Sequence, residues 1–191
     1  MGKRLFDLLA SLTGIIVLSP LIITIFCVVK VSSLGPAFYL QERVGRKGKP
    51  FMIYKFRTMV VDTEQDGIPR LAEPDDDRLT AVGRFLRSHH LDELPQLWNV
   101  LKGDMSIVGP RPERQYFINQ IMKHDTRYER LYQLRPGLTS FATLYNGYTD
   151  TMEKMLRRLE LDLYYLDHQS WWLDTRIICK TILGIISGRK F

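Results

Sequence analysis

Leu91-Asp92-Glu93-Leu94-Pro95-Gln96-Leu97-Trp98-Asn99-Val100-Leu101-Lys102-Gly103-Asp104-Met105-Ser106-Ile107-Val108-Gly109-Pro110-Arg111-Pro112-Glu113 is the stretch on which the reading of this chain turns. Pro95 suits a first helical position, where its missing N–H would have gone unpaired in any case. Leu94, Leu97, Trp98 and Leu101 recur at helical spacing and predict one buried face. Gly103 is placed to end that helix in a left-handed conformation. Asp92 and Glu93 then stand just before a helix start, a setting that favours anions. Beyond the stop, Gly109-Pro110-Arg111-Pro112 holds one arginine in stiff, extended backbone. Two adjacent carboxylates and a rigid guanidinium suit a divalent metal and a phosphate. An acidic cap followed by a proline-rich turn is the plainer alternative.

The 191 residues carry 27 basic and 21 acidic side chains, net +6. A basic balance fits either nucleic acid or an anionic membrane surface. No basic tract is interleaved with aromatics as a nucleic-acid platform requires, so nucleic acid is set aside. From Leu8 to Val29 no residue is charged. As one helix these 22 residues would reach about 33 Å, enough for a bilayer core of about 30 Å. Asp7 and the lack of a small-residue cleavage site argue against a removable signal peptide. Ser19-Pro20 interrupts the middle, since proline removes a donor and disfavours helix at the residue before it. Either a kinked spanning helix or a helix-break-helix hairpin satisfies this pattern. Lys30, Arg43, Arg46, Lys47 and Lys49 follow the segment and place the main body in the cytoplasm. Cys27 and Cys179 sit inside apolar runs and read as small buried hydrophobes, with no disulfide framework.

Ala37 to Val44 and Phe51 to Met59 are aromatic and β-branched, separated by Gly45-Arg46-Lys47-Gly48-Lys49-Pro50, and predict a β-hairpin. Strict alternation puts Ile53, Lys55 and Arg57 on one face of the second strand. Asp62 to Asp77 is a polar loop whose Glu73-Pro74-Asp75-Asp76-Asp77 run reads as solvated, with metal binding as the rival. Thr80 is a suitable N-cap for a helix carrying Val82, Phe85 and Leu86. His89 and His90 lack the second ligand pair that a zinc site needs. Residues 113–123 and 126–134 read as helical with a break near Asp125, and Arg135 to Thr139 as a turn. Glu153 to Tyr165 reads as an amphipathic helix with Leu156, Leu159 and Leu163 inward. Trp171 to Ile186 combines two leading tryptophans with apolar and basic residues, fitting a membrane interface or a core helix. The fold class expected is α+β and predominantly helical, in one domain over residues 1–191.

The sequence from Leu91 to Glu113 is similar to the core signature of the bacterial sugar transferases, the monotopic phosphoglycosyl transferases. The similarity runs from about Lys3 to about Lys180. It implies transfer of a phospho-sugar from a UDP-sugar to a polyprenol phosphate, releasing UMP. It also implies a re-entrant membrane hairpin over 1–30 broken at Ser19-Pro20, with a catalytic part over 31–191 on the cytoplasmic face of the bacterial inner membrane. By the same resemblance Asp92 is the nucleophile and Glu93 holds Mg²⁺, with Asp92 beside it. Lys55, Arg57, Arg111, Asp162 and Asp174 are expected at the phosphates and substrate. An anionic phospholipid membrane is the expected surface, and homo-oligomerisation is left open. Where the family continues its Pro-Gly turn with glycine and then glutamine, this chain has Ser140 and Thr143. The sugar is therefore not assigned. A non-enzymatic membrane scaffold and a metal-dependent phosphodiesterase are the rival classes.

Overall fold

The computed structural model describes residues 2–60, 76–147 and 149–187. Helix α1 spans Gly2–Ser32, and strands β1 (Phe38–Val44) and β2 (Pro50–Phe56) form an antiparallel hairpin. Helices α2 (Ala81–Ser88) and α3 (Gln96–Lys102) flank a 3-10 turn at Leu91–Glu93. Strand β3 (Ser106–Val108), helix α4 (Gln115–Met122), a 3-10 stretch over Thr126–Gln133 and strand β4 (Gly137–Thr139) come next. Helices α5 (Phe141–Asn146), α6 (Met152–Asp167) and α7 (Trp171–Ile186) complete the chain. The protein is thus mostly helical α+β, with one short hairpin and a long apolar N-terminal helix.

Local chemistry explains most of these boundaries. The Thr80 hydroxyl accepts from Gly83 N at 2.8 Å and caps α2. Gly103 ends α3 at φ 97°, donating its N–H to the carbonyls of Asn99 and Val100. Pro95 stands at the N-cap of α3, one position before the expected first turn. The face α3 buries also differs from the expected one. Gln96, Leu97, Asn99 and Val100 are inward, while Trp98 is 51 % exposed. Helical spacing marks a stripe, but a seven-residue helix packed on two sides buries two stripes.

Helix α1 runs as one element with Pro20 inside it. Proline deprives the Ile16 carbonyl of its helical donor, and the Ser19 hydroxyl supplies one at 2.8 Å. Ser19 and Pro20 therefore offset each other, and the backbone stays helical through the pair. One side of α1 rests on the rest of the protein along its whole length. Arg4 donates to the carbonyls of Val100 and Leu101 at 2.7 and 2.9 Å. Asp7 accepts from Ser106 Oγ at 3.0 Å and Ile107 N at 2.9 Å. Near the other end Ile25 and Val29 pack with Phe56 and Leu86. The other faces leave Leu5, Leu9, Ile16, Val17, Ile23 and Val31 exposed. By length and composition α1 could cross a membrane.

Cys27 and Cys179 are both exposed, not buried as expected. An apolar run implies burial only where every face of a helix meets protein, and the outer faces of α1 and α7 do not. Glu73 and Asp75 of the acidic run lie outside the described residues. Of that run, Asp76 is buried and its carboxylate accepts from Arg78 Nε at 2.7 Å.

A second core forms where α4, the 3-10 stretch and α6 bring together Ile118, Ile121, Leu131, Leu159 and Leu163. Between it and α1 lies the parallel pair β3–β4, with Ser106 opposite Gly137 and Val108 opposite Thr139. A Cβ on Gly109 would stand 2.3 Å from the Arg135 carbonyl, and one on Gly137 2.2 Å from Gly109 N. Only glycine lets these two segments approach so closely. That contact fixes where the following Pro110-Arg111-Pro112 segment lies.

Candidate active site

The end of α2 delivers the acidic pair. His90 adopts a left-handed conformation, φ 55°, and turns the chain sharply into Leu91–Glu93. Lys55 reaches the pair from β2, and Arg111 from the stiff segment after β3. Glu93 Oε1 accepts from Lys55 Nζ at 2.7 Å and from Arg111 at 3.2 Å. Burial opposes the charge on Glu93, but Lys55 and Arg111 outweigh it and hold its carboxyl well below the usual range. Arg111 is raised in turn, chiefly by Glu93.

Asp92 behaves differently. It is 7 % exposed, and among the described residues none donates a hydrogen bond to its carboxylate. Position before a helix suggested that Asp92 would be kept charged. Burial instead pushes its pKa up, Lys55 pulls it partly back, and the charge of Glu93 adds to the rise. Two neighbouring carboxylates are thereby driven apart. Glu93 is locked as an anion, and Asp92 is left with its oxygens unengaged.

The Arg111 segment is held from several sides. Gly137 N donates to the Pro110 carbonyl at 2.8 Å, and Arg43 donates to the Pro112 carbonyl at 3.2 Å. Asp162, on α6, lies against the backbone of Arg111, and burial pushes its carboxyl up to about 7. Asp162 therefore reaches the site through the backbone of Arg111. Glu113 anchors the far end, taking Arg43 at 2.8 Å and Arg158 at 2.6 Å. Those arginines overcome burial and hold Glu113 down to about 2.

Two expected residues lie elsewhere. Strand β2 ends at Phe56, so the alternation that paired Lys55 with Arg57 stops one residue short. Arg57 is buried and donates to the carbonyls of Leu34 and Ser33 at 2.7 and 2.8 Å, fixing the exit from α1. Asp174 accepts from Tyr165 at 2.6 Å and pairs with Lys3, tying α7 to the start of α1. Arg43, Gln96, Glu113 and Arg158 were not singled out as site residues from the sequence. Glu113 ends the quoted stretch, and Gln41-Glu42-Arg43 lies opposite Ile53, Met52 and Phe51 in the hairpin register. Only the tertiary contacts give those positions a meaning.

Two cavities adjoin the pair. The smaller, about 20 Å³, is lined by Arg43, Lys55, Glu93, Gln96 and Arg111, with Ile53, Pro112 and Gly137. The larger, about 480 Å³, lies between α1 and α2 and ends on Leu91, the neighbour of Asp92. Its walls are apolar except for Thr24, whose hydroxyl is spent on the Pro20 carbonyl at 2.8 Å. Among the described residues no three His, Cys, Asp or Glu side chains gather as a metal site. Mg²⁺ is commonly held by one or two carboxylates together with substrate phosphates, and Asp92 with Glu93 suffices for that mode.

The family model described as bacterial sugar transferase matches residues 1–188. A UDP-N-acetylgalactosamine-undecaprenyl-phosphate N-acetylgalactosaminephosphotransferase of Aeromonas hydrophila is 41 % identical over 186 residues, 97 % of this chain and 44 % of that protein. A UDP-glucose:undecaprenyl-phosphate glucose-1-phosphate transferase of Klebsiella pneumoniae is 43 % identical over 192 residues, covering 99 % and 41 %. The enzyme of the same name from Caulobacter vibrioides is 40 % identical over 189 residues, covering 97 % and 70 %. The chain thus spans less than half the length of the first two relatives. With the signature stretch, the charged pair and this match in agreement, the chain belongs to the bacterial sugar transferase family.

Proposed function

We propose that the protein is a phosphoglycosyl transferase that moves a phospho-sugar from a UDP-sugar to a polyprenol phosphate and releases UMP. The observation that carries this reading is the splitting of the acidic pair. Glu93 is clamped by Lys55 and Arg111, while among the described residues none donates a hydrogen bond to the oxygens of Asp92. An unengaged carboxylate beside fixed cations suits attack on a phosphate. The activities of these relatives, undecaprenyl-phosphate sugar-phosphate transfers, support the same substrates.

In this reading an Asp92 oxygen attacks the sugar-bearing phosphorus. The bond from that phosphorus to the bridging oxygen breaks, and UMP departs with the electron pair. The acyl-phosphate so formed is attacked by an oxygen of the polyprenol phosphate, and Asp92 leaves as carboxylate. Lys55 and Arg111 bind and orient the phosphates. Asp162 and the β3–β4 contact keep Arg111 in place. A divalent ion such as Mg²⁺, held by Glu93 and Asp92 with phosphate oxygens, would neutralise charge on the leaving group. The apolar cavity ending at Leu91 is a seat for the first isoprene units of the acceptor, adjacent to Asp92.

The same reading places α1 in the cytoplasmic leaflet as one continuous helix, with both of its ends on the cytoplasmic side and no break at Ser19-Pro20. Its support is the contact of both ends of α1 with the body that carries the site. Exposed Trp171 and Trp172 at the start of α7 suit the interface beside it. The test is UMP release from a panel of UDP-sugars, with and without polyprenol phosphate. Multiple turnovers are expected only with the lipid phosphate and Mg²⁺. Multiple turnovers without any acceptor would instead favour a hydrolase.

A further inference from the structure

Helix α3 carries two buried amides one turn apart, and they are treated in opposite ways. Asn99 is fully buried and fully used. Its Oδ1 accepts from Tyr54 N at 3.0 Å, and its Nδ2 donates to the Met52 carbonyl at 2.7 Å. It fastens α3 to β2. Gln96 is 2 % exposed, yet its Nε2 is buried with no hydrogen-bond partner among the described residues. An amide donor left unpaired in the interior loses its hydration without compensation, so such groups are rare in a folded protein.

The surroundings indicate what would pair with it. Gln96 lines the smaller cavity together with Arg43, Lys55, Glu93 and Arg111. Arg43 Nε, in the same lining, is also buried and without a partner among the described residues. Both orphans are N–H donors, and the lining sets three cations, Arg43, Lys55 and Arg111, against the single carboxylate of Glu93, so the missing atom is an acceptor suited to a net positive setting. The space, about 20 Å³, admits one water-sized group. A phosphoryl oxygen meets all three conditions. Resting on the transfer reaction proposed above, we infer that Gln96 Nε2, with Arg43 Nε beside it, is a preformed donor to a non-bridging oxygen of the phosphoryl group that passes through Asp92. The interior cost of the unpaired donor is carried by the free enzyme and relieved as the oxygen arrives, which favours the transfer step.

Stability and activity together test this, because a structural amide and a substrate-facing amide predict opposite results. Gln96→Met keeps length and apolar bulk while deleting the donor. Its Tm is expected to equal or exceed that of the unaltered protein, since an unpaired buried polar group is removed. Its rate of UMP release in a single turnover from UDP-sugar is expected to fall by about 10²-fold, the usual effect of losing one such donor, with donor KM little changed. Asn99→Leu serves as the contrast and should lower Tm, because it leaves Tyr54 N and the Met52 carbonyl unpaired. A Gln96→Met protein that reacts at the normal rate overturns the inference, as does one whose Tm falls as Asn99→Leu does. Normal Gln96→Met kinetics with an adduct on Asp92 would leave the transfer mechanism standing. Absence of any adduct in the unaltered protein would remove both.

Discussion

At the scale of single residues the site works by giving two adjacent carboxylates different surroundings. Glu93 has Lys55 and Arg111 on one oxygen and stays ionised. Asp92 is buried without a hydrogen bond from any described residue, and its pKa is raised, chiefly by burial. The direction of that shift fixes the pH response. A nucleophile must be ionised, so adduct formation is lost as pH falls through the raised value of Asp92. The acid limb of single-turnover UMP release should therefore lie above the ordinary carboxylate range, in mildly acidic solution. Rates that stay constant down to pH 4 would show that Asp92 is not desolvated as described. That Glu93 would stand near Arg111 was legible in the sequence from the turn and the proline-stiffened segment, whereas Lys55 entered only through the family resemblance. Gln96 and Arg43 were not legible, since an orphaned donor is a property of tertiary packing. Arg57 misled because its strand ends one residue too early.

At the scale of elements, α1 is the most informative. Its long uncharged run and the Ser19-Pro20 pair were plain in the sequence, but the outcome at that pair was not. A hydroxyl one residue before the proline takes the orphaned Ile16 carbonyl, so the helix continues. Its course along the body depends on Arg4, Asp7, Ile25 and Val29, whose partners are far away in sequence. The β-hairpin, the Thr80 cap and the Gly103 stop were legible because each is a short-range device. The β3–β4 pair was not, because strands of three residues carry no period. In the one-leaflet arrangement proposed above, both ends of α1 are held by the same body, and residue 2 is expected on the cytoplasmic face. A cysteine placed at position 2, in a protein whose native cysteines are replaced, should resist a membrane-impermeant thiol reagent in intact cells and react after lysis. Labelling in intact cells would contradict the one-face arrangement.

At the scale of the whole molecule, the account proposed here needs two sides. The apolar outer faces of α1, the exposed tryptophans of α7 and the apolar cavity between α1 and α2 are the proposed lipid-facing side. Lys55, Arg111 and Arg43, which line the smaller cavity, are the proposed phosphate-receiving side. Asp92 stands between Leu91, which lines the apolar cavity, and Glu93, which lines the charged one. That arrangement suits a soluble donor and a lipid acceptor that never need to be bound together, which is what a covalent intermediate permits. The measurement that bears on this most directly is intact-protein mass spectrometry after incubation with UDP-sugar and Mg²⁺ in the absence of acceptor. The account predicts a mass increase of one phospho-sugar, located on the peptide containing Asp92, with one equivalent of UMP released and neither seen in Asp92→Asn. No adduct, with UMP appearing only when donor and polyprenol phosphate are both present, would mean direct transfer and would contradict it.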